Sequence, residues 1–587
     1  MRLYQQFPLF ADRSVIRLLE LRLNNDTAGV DSVETIEGSV ATCDLLDTPD
    51  YDALSYAWGP HDLSAHLTLD DELFPVSRNL FAALRQICLD QRKTGRARKL
   101  WVDAICINQA DNAEKSHQVL LMRDIYSHAN MVLAWIGASD NLSALAFDTL
   151  EKFAADDGTT DGSATYRQLQ DSAEVRRAAV QLIVERGYFI RIWIVQEVVV
   201  ARKVVILCGT LSLDFDSMRV AIQRVTGSGF YRFTAATANL SYIGGWRVSF
   251  HETNAPHRGE LLDLRLFLDS RDRMATDPRD KIYSLRGIAN KALATRIKVD
   301  YSDPVKTVYT DFVKTVLDIR PDLQILSAVI LRHKSTSIIE LPSYVPDWSL
   351  PKCGGSLLQR YYRFKPTHLF HAAGSSTPRV TLIQDSNAIS LEGFRLDTIS
   401  RVIPIKSLLG ARDDGSVSVD ETILQDLAKS VIAANTYAFS GEPSWAAYFR
   451  TLTADRTALS PRIDETYWFQ YFASFSDWGL HHLSSEVGDL PASAWELVSK
   501  DIGTIIEDKN MFLTTQGYLG LGHEGFDVGD TVCILSGGEV PFILRETAKR
   551  ENRGVFRFLC ECYVHGVMDG EVVDDPNKSP LEEFLIE

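Results

Sequence analysis

Between residues 51 and 136, short apolar runs take turns with helical patterns, and this alternation constrains the fold more than any other feature of the chain. Tyr51-Asp-Ala-Leu-Ser-Tyr56 reads as a buried strand that ends in the tight turn Trp58-Gly59-Pro60. Residues 79–89 are amphipathic, with Leu80, Leu84, Ile87 and Cys88 on one face. Leu100-Trp-Val102 is a second short strand, and residues 131–136 are a third, closed by Gly137. Between them Asp111 and Glu114 stand three apart, as in a capping box, ahead of the stripe Val119, Met122, Ile125, Tyr126 and Ala129. Strands that alternate with helices predict an α/β fold, with a parallel sheet covered on both faces. In such sheets ligands bind at the carboxyl ends of the strands, where the loops gather.

With 587 residues the chain is too long for one core, so several domains are expected. The alternating region runs to about 215, and 216–370 reads as mainly helical. The stretch 371–587 reads as β-rich, with a helical insertion over roughly 418–505. Its β segment 388–399, turning at Gly393, is expected to pair with the late strands 531–535, 541–544 and 555–564 in one small barrel or sandwich. The late strands turn at Gly517, Gly529-Asp530 and Gly537-Gly538. The run Gly517-Tyr-Leu-Gly-Leu-Gly522 lacks the ending of a phosphate loop and reads as a β-turn.

Four blocks resemble the fungal heterokaryon-incompatibility (HET) domain family. They are Leu54-Ser-Tyr-Ala-Trp-Gly59, Leu100-Trp-Val-Asp-Ala-Ile-Cys-Ile-Asn-Gln109, Glu114 through Met122 to Tyr126 with Trp135-Ile-Gly137, and Tyr188-Phe-Ile-Arg-Ile-Trp-Ile-Val-Gln-Glu197. Their order and spacing over about 150 residues carry the resemblance. Fainter echoes follow in Asp277-Pro-Arg-Asp-Lys-Ile-Tyr283 and Val345-Pro-Asp-Trp348. The resemblance implies an effector of non-self recognition that promotes programmed cell death when incompatible hyphae fuse. It also implies a distant likeness to TIR domains, which are flavodoxin-like, and some TIR domains cleave NAD at the nicotinamide–ribose bond. On that likeness the first domain is a TIR-like parallel sheet with flanking helices. NAD is then a substrate and no cofactor is expected.

Cleavage of that bond passes through an oxocarbenium-like state, which calls for a carboxylate near the ribose and an aromatic surface for the nicotinamide. Glu197 is the expected catalytic carboxylate. Trp193, one helical turn before it, lies on the same face. Gln196 is expected at the ribose and Arg191 at a phosphate. Tyr56, Trp58 and Gly59 follow one strand and Asp103 follows another, so all four fall on the loop-bearing edge, with Asn108 and Gln109 in the next loop. Each has a structural alternative. Glu197 can be half of a buried ion pair with Arg191 or Arg202, Trp58 and Tyr56 can be core, Asp103 can cap its loop, and the two amides can shape a turn.

The net charge of −17 repels phosphate backbones, so no nucleic-acid partner is expected. The basic run 92–99 reads as a solvated loop. Eight scattered cysteines form no CxxC pair, and no metal site is expected. No segment reaches the ~18 apolar residues of a membrane span, and the start lacks a signal-peptide core, so a cytoplasmic protein is expected. Expected partners are an unknown incompatibility protein and further copies of the chain as a homo-oligomer. The competing expectations are a non-enzymatic signalling module that acts by self-association, and an enzyme with another small-molecule substrate.

Overall fold

In the first unit, Met1–Pro304, nine strands form one sheet. They are β1 (Val15–Asn25), β2 (Glu34–Asp44), β3 (Asp52–Tyr56), β4 (Ala65–Leu69), β5 (Glu72–Val76), β6 (Lys99–Trp101), β7 (Val132–Trp135), β8 (Val204–Cys208) and β9 (Leu211–Asp214). The spatial order is β5-β4-β2-β1-β6-β3-β7-β8-β9. This computed structural model describes the whole chain except residues 1, 11–12, 26–33, 60–61, 157–162, 232–233, 253–263, 321, 331–338, 352–356, 358–368, 384–385, 412–416, 432–435, 457–461, 463–501, 504, 551–552, 574 and 576–577.

The centre of the sheet is parallel, as the alternation predicts. β3 pairs in parallel with both β6 and β7, and β7 with β8. All five residues of β3 are buried, because both faces of a parallel sheet are covered. Antiparallel strands extend both flanks of this parallel centre. The long hairpin of β1 and β2 is antiparallel and adds to β6, while β4 and β5 form a second hairpin and β9 folds back on β8. The β1–β2 and β8–β9 pairs lie outside the 51–136 alternation, and the β4–β5 hairpin lies inside it but in a stretch where the pattern marked no strand.

Local chemistry sets the helix ends. The helix Arg78–Thr94 begins where Ser77 accepts the N–H of Leu80 and stops at Gly95, whose φ of +67° few other residues adopt. The helix Asn112–His128 is capped by Asp111, which takes the N–H groups of Ala113 and Glu114. The reciprocal half of the capping box is missing. Glu114 turns instead to Arg17 on β1, with contacts of 2.6 and 3.0 Å to its two terminal nitrogens. A fully buried guanidinium needs this paired acceptor more than the helix needs a second cap.

Further helices of this unit include Phe215–Gly227, Ala235–His251 and Asp280–Arg286. The unit boundary at Pro304 falls inside the stretch expected to be mainly helical.

The second unit, Val305–Glu587, opens with the helix Val305–Ile319. Its strands are β10 (Val380–Leu382), β11 (Ile389–Pro404), β12 (Leu409–Ala411), β13 (Val417–Val419), β14 (Lys509–Thr514), β15 (Leu519–His523), β16 (Thr531–Leu535), β17 (Phe542–Arg550), β18 (Arg553–Val564) and β19 (Glu582–Ile586). The order β11-β14-β15-β18-β17-β16 returns to β11 through a β11–β16 pairing, so the ring closes into a barrel. β19 pairs with β11 and β18. The expected pairing of the 388–399 segment with the late strands is therefore present.

Gly393 does not turn the chain. It lies inside β11, opposite Leu535, where a Cβ would fall 2.5 Å from the carbonyl oxygen of Ile534. Close backbone approach, and not a bend, requires glycine here. The described part of the expected insertion holds the helices Glu421–Val431 and Ser444–Leu452, and 463–500 lies outside the described residues.

Candidate functional site

The carboxyl ends of β3 and β6 lie side by side and deliver Trp58 and Asp103 to one place. The indole N–H of Trp58 donates to Asp103 Oδ2 at 2.8 Å, and the backbone N–H of Ala104 donates to Oδ1 at 2.7 Å. The Tyr56 phenol is hydrogen-bonded to the same carboxyl group. Burial pushes Asp103 above the ordinary carboxylate range, while the charge of Arg191 and these three donors pull it back down.

Glu197 lies deeper. It belongs to the helix Ile194–Val199, every residue of which is buried. Its carboxylate accepts the hydroxyl of Ser55 on β3, and Ser55 Oγ stands 2.7 Å from the phenol oxygen of Tyr188. The Tyr126 phenol is hydrogen-bonded to it as well. Burial pushes Glu197 up to about 7, opposed by the charge of Arg191 and by the Ser55 and Tyr126 hydrogen bonds, and reinforced by Asp103. Arg191 therefore acts on both carboxylates, although its own hydrogen bond goes to the backbone oxygen of Tyr56.

A cavity of about 360 Å³ opens beside this network. Tyr56, Trp58, Gly59, Asn108 and Gln109 line it, joined by Tyr4 and Phe74 among others. Asp103 stands behind the Trp58 wall. Gln109 Nε2 donates to the Asp103 backbone oxygen at 3.0 Å, and Asn108 Oδ1 accepts the N–H of Ala110.

The other sequence-predicted residues point elsewhere. Trp193 and Glu197 leave neighbouring turns toward different partners: the Trp193 side chain is hydrogen-bonded to Asp280, which burial pushes up to about 6. Gln196 Oε1 accepts the N–H of Gly287 at 3.1 Å. Glu197, Trp193, Gln196 and Arg191 are not among the residues that line the cavity.

Ser55, Tyr126 and Tyr188 were not singled out from the sequence. Ser55 carried a signal, being the hydroxyl in a strand whose next three neighbours toward Asp52 and Tyr56 are otherwise apolar or aromatic. Tyr4 and Phe74 carried none, since only the folded hairpin β4–β5 and the N-terminal helix Arg2–Gln6 bring them in. A larger groove of about 810 Å³ crosses β1 and β2 and includes none of the predicted site residues. Among the described residues no group of three or more His, Cys, Asp or Glu is placed to hold a metal ion. No described helix is long and apolar enough to cross a membrane.

The family described as heterokaryon incompatibility protein (HET) matches residues 51–197, the span from β3 to Glu197 that builds this network. The chain carries a HET domain. The parallel centre of its sheet, the cavity and both carboxylates all lie within the HET domain or against it. A second family, the Het-6 beta-barrel domain, matches residues 498–586, which hold β14 to β19 of the closed barrel. The chain is 26% identical over 646 aligned positions to "Heterokaryon incompatibility protein 6, OR allele" of Neurospora crassa, covering 93% of each protein. No solved structure matches.

Proposed function

We propose that this chain acts in heterokaryon incompatibility, with the HET domain cleaving NAD at the nicotinamide–ribose bond and so promoting the death of incompatible fused cells. The role in incompatibility is supported by the Neurospora relative, whose name states it and whose similarity extends through nearly all of both proteins. The chemistry is supported by one observation: an aromatic cavity at the carboxyl ends of parallel strands, with the Asp103 carboxylate hydrogen-bonded to its Trp58 wall.

In this reading the aromatic wall holds the nicotinamide ring, and the Asn108 and Gln109 amides face its carboxamide. The C1′–N bond breaks with its electron pair passing to the ring nitrogen, so nicotinamide leaves neutral and needs no proton from an acid. Positive charge builds on the ribosyl carbon, which water then attacks, releasing a proton. The buried carboxylates stabilise that charge when ionised.

A second reading has its own support. The Glu197 carboxylate is engaged by Ser55 and lies away from the cavity, as expected of a domain that signals by self-association and uses Glu197 to hold β3 in place.

Purified full-length protein incubated with NAD separates the two. Release of nicotinamide that is lost in a folded Glu197→Gln variant supports the hydrolase. Absence of release from both proteins at high concentration favours the module, or a different substrate.

A further inference from the structure

The cavity combines several aromatic side chains with a carboxylate hidden behind them. Tyr4, Tyr56, Trp58 and Phe74 all line it, and none of the described lining residues carries a formal charge. Two of the four, Trp58 and Tyr56, are hydrogen-bonded to the one carboxyl group of Asp103. A ring whose N–H or O–H is held by a carboxylate becomes richer in electrons, and its face attracts a cation more strongly. The negative charge of Asp103 adds to this, since a half-buried site screens it less than water does. The protein already places a cation on one of these rings: the Arg17 guanidinium lies 4.8 Å from the centre of Tyr4.

We infer that this cavity selects a planar aromatic cation of the N-alkylpyridinium class over a neutral ring of the same shape, and that Asp103 sets the preference through Trp58 and Tyr56. The inference rests on the proposed NAD chemistry for its choice of ligand class and supplies what that chemistry lacks, a way to tell substrate from product. The ring of NAD is a pyridinium cation. Once the C1′–N electron pair has passed to the ring nitrogen the ring is neutral, and the preference that held the substrate no longer holds the product. Asp103 is in this account a positioning residue, acting through the indole and the phenol.

The test is calorimetric titration of the full chain with 1-methylnicotinamide and with 3-methylbenzamide, its uncharged carbon isostere. The cation should bind about tenfold more tightly, the size of a partly desolvated cation–π contact. In Asp103→Asn that advantage should shrink to about threefold or less, with the affinity for 3-methylbenzamide little changed. Trp58→Phe, which keeps a ring but loses the N–H donor, should move the same way and serves if the Asp103 variant does not fold. Equal affinities in the unaltered protein, a preference for the neutral ring, or binding of neither compound overturns the inference. NAD turnover is scored separately. Nicotinamide release without a cation preference would leave the hydrolase standing and remove this inference, and a cation preference without release would do the reverse.

Discussion

Ser55 gives its hydroxyl hydrogen to the carboxylate of Glu197 and so ties β3 to the helix Ile194–Val199. Because burial lifts Glu197 to about 7, from an ordinary value near 4.5, the folded chain keeps a proton that the unfolded chain has released. The sign follows: this group's contribution is complete at low pH and is lost as pH rises from about 4.5 through about 7. The loss amounts to roughly 3 kcal/mol. Urea unfolding of the first unit between pH 4 and 8 should show that decline in the unaltered protein and a flatter profile in Glu197→Gln. Parallel profiles would refute it.

The same titration bears on activity. If ionised Glu197 stabilises the ribosyl cation, nicotinamide release at saturating NAD should climb as pH passes through about 7 and level off above it. A rate that is flat from pH 6 to 8 counts against that role.

Arg17 is almost wholly buried and meets Glu114 through two hydrogen bonds, with further donations to Phe7 and Cys106 backbone oxygens. Removing the acid strands a cation. Glu114→Ala should cost roughly 3 kcal/mol, and Glu114→Gln, which keeps one acceptor, should cost less. Denaturant midpoints at constant pH decide the order.

At Gly287 an added Cβ would fall 2.2 Å from Gln196 Oε1, the far end of a flexible side chain. Gly287→Ala should therefore destabilise by about 1 kcal/mol by displacing that amide from the Gly287 N–H. In a Gln196→Ala background most of the cost should vanish. A double-mutant cycle that returns no coupling would mean that the two residues do not meet.

In the barrel, a Cβ on Gly520 would lie 2.0 Å from the Phe512 ring across the β14–β15 pair. Gly520→Ala should cost about 2 kcal/mol, partly restored by Phe512→Leu, as read from thermal unfolding.

Much of the first domain was legible because apolar runs bounded by caps and turns are local signals. β3, β6, β7 and the helices Arg78–Thr94 and Asn112–His128 all fall where the pattern of residues 51–136 puts them. The β1–β2 hairpin was not, since its pairing with β6 depends on contacts far along the chain. At the site, position after a strand was enough to place Tyr56, Trp58 and Asp103 at one edge. Spacing on a helix was a weaker guide. Trp193 and Glu197 are four residues apart, yet the segment is one short helix with Trp193 at its very start, and tertiary partners set each direction. Gly393 shows the same limit, because a glycine needed for close packing and one needed for a turn look alike in a sequence.

The pairing of β11 with β14 on one side and β16 on the other has a consequence for biosynthesis. β11 leaves the ribosome long before either neighbour, and the last member of the ring, β18, comes out later still. Through that interval β11 is a sixteen-residue ribbon whose edges, beyond the short β10 pairing at Ile389 to Leu391, still await their partners and are open to association with any other nascent strand. Chaperone demand during translation should therefore peak over the stretch between β11 and β18.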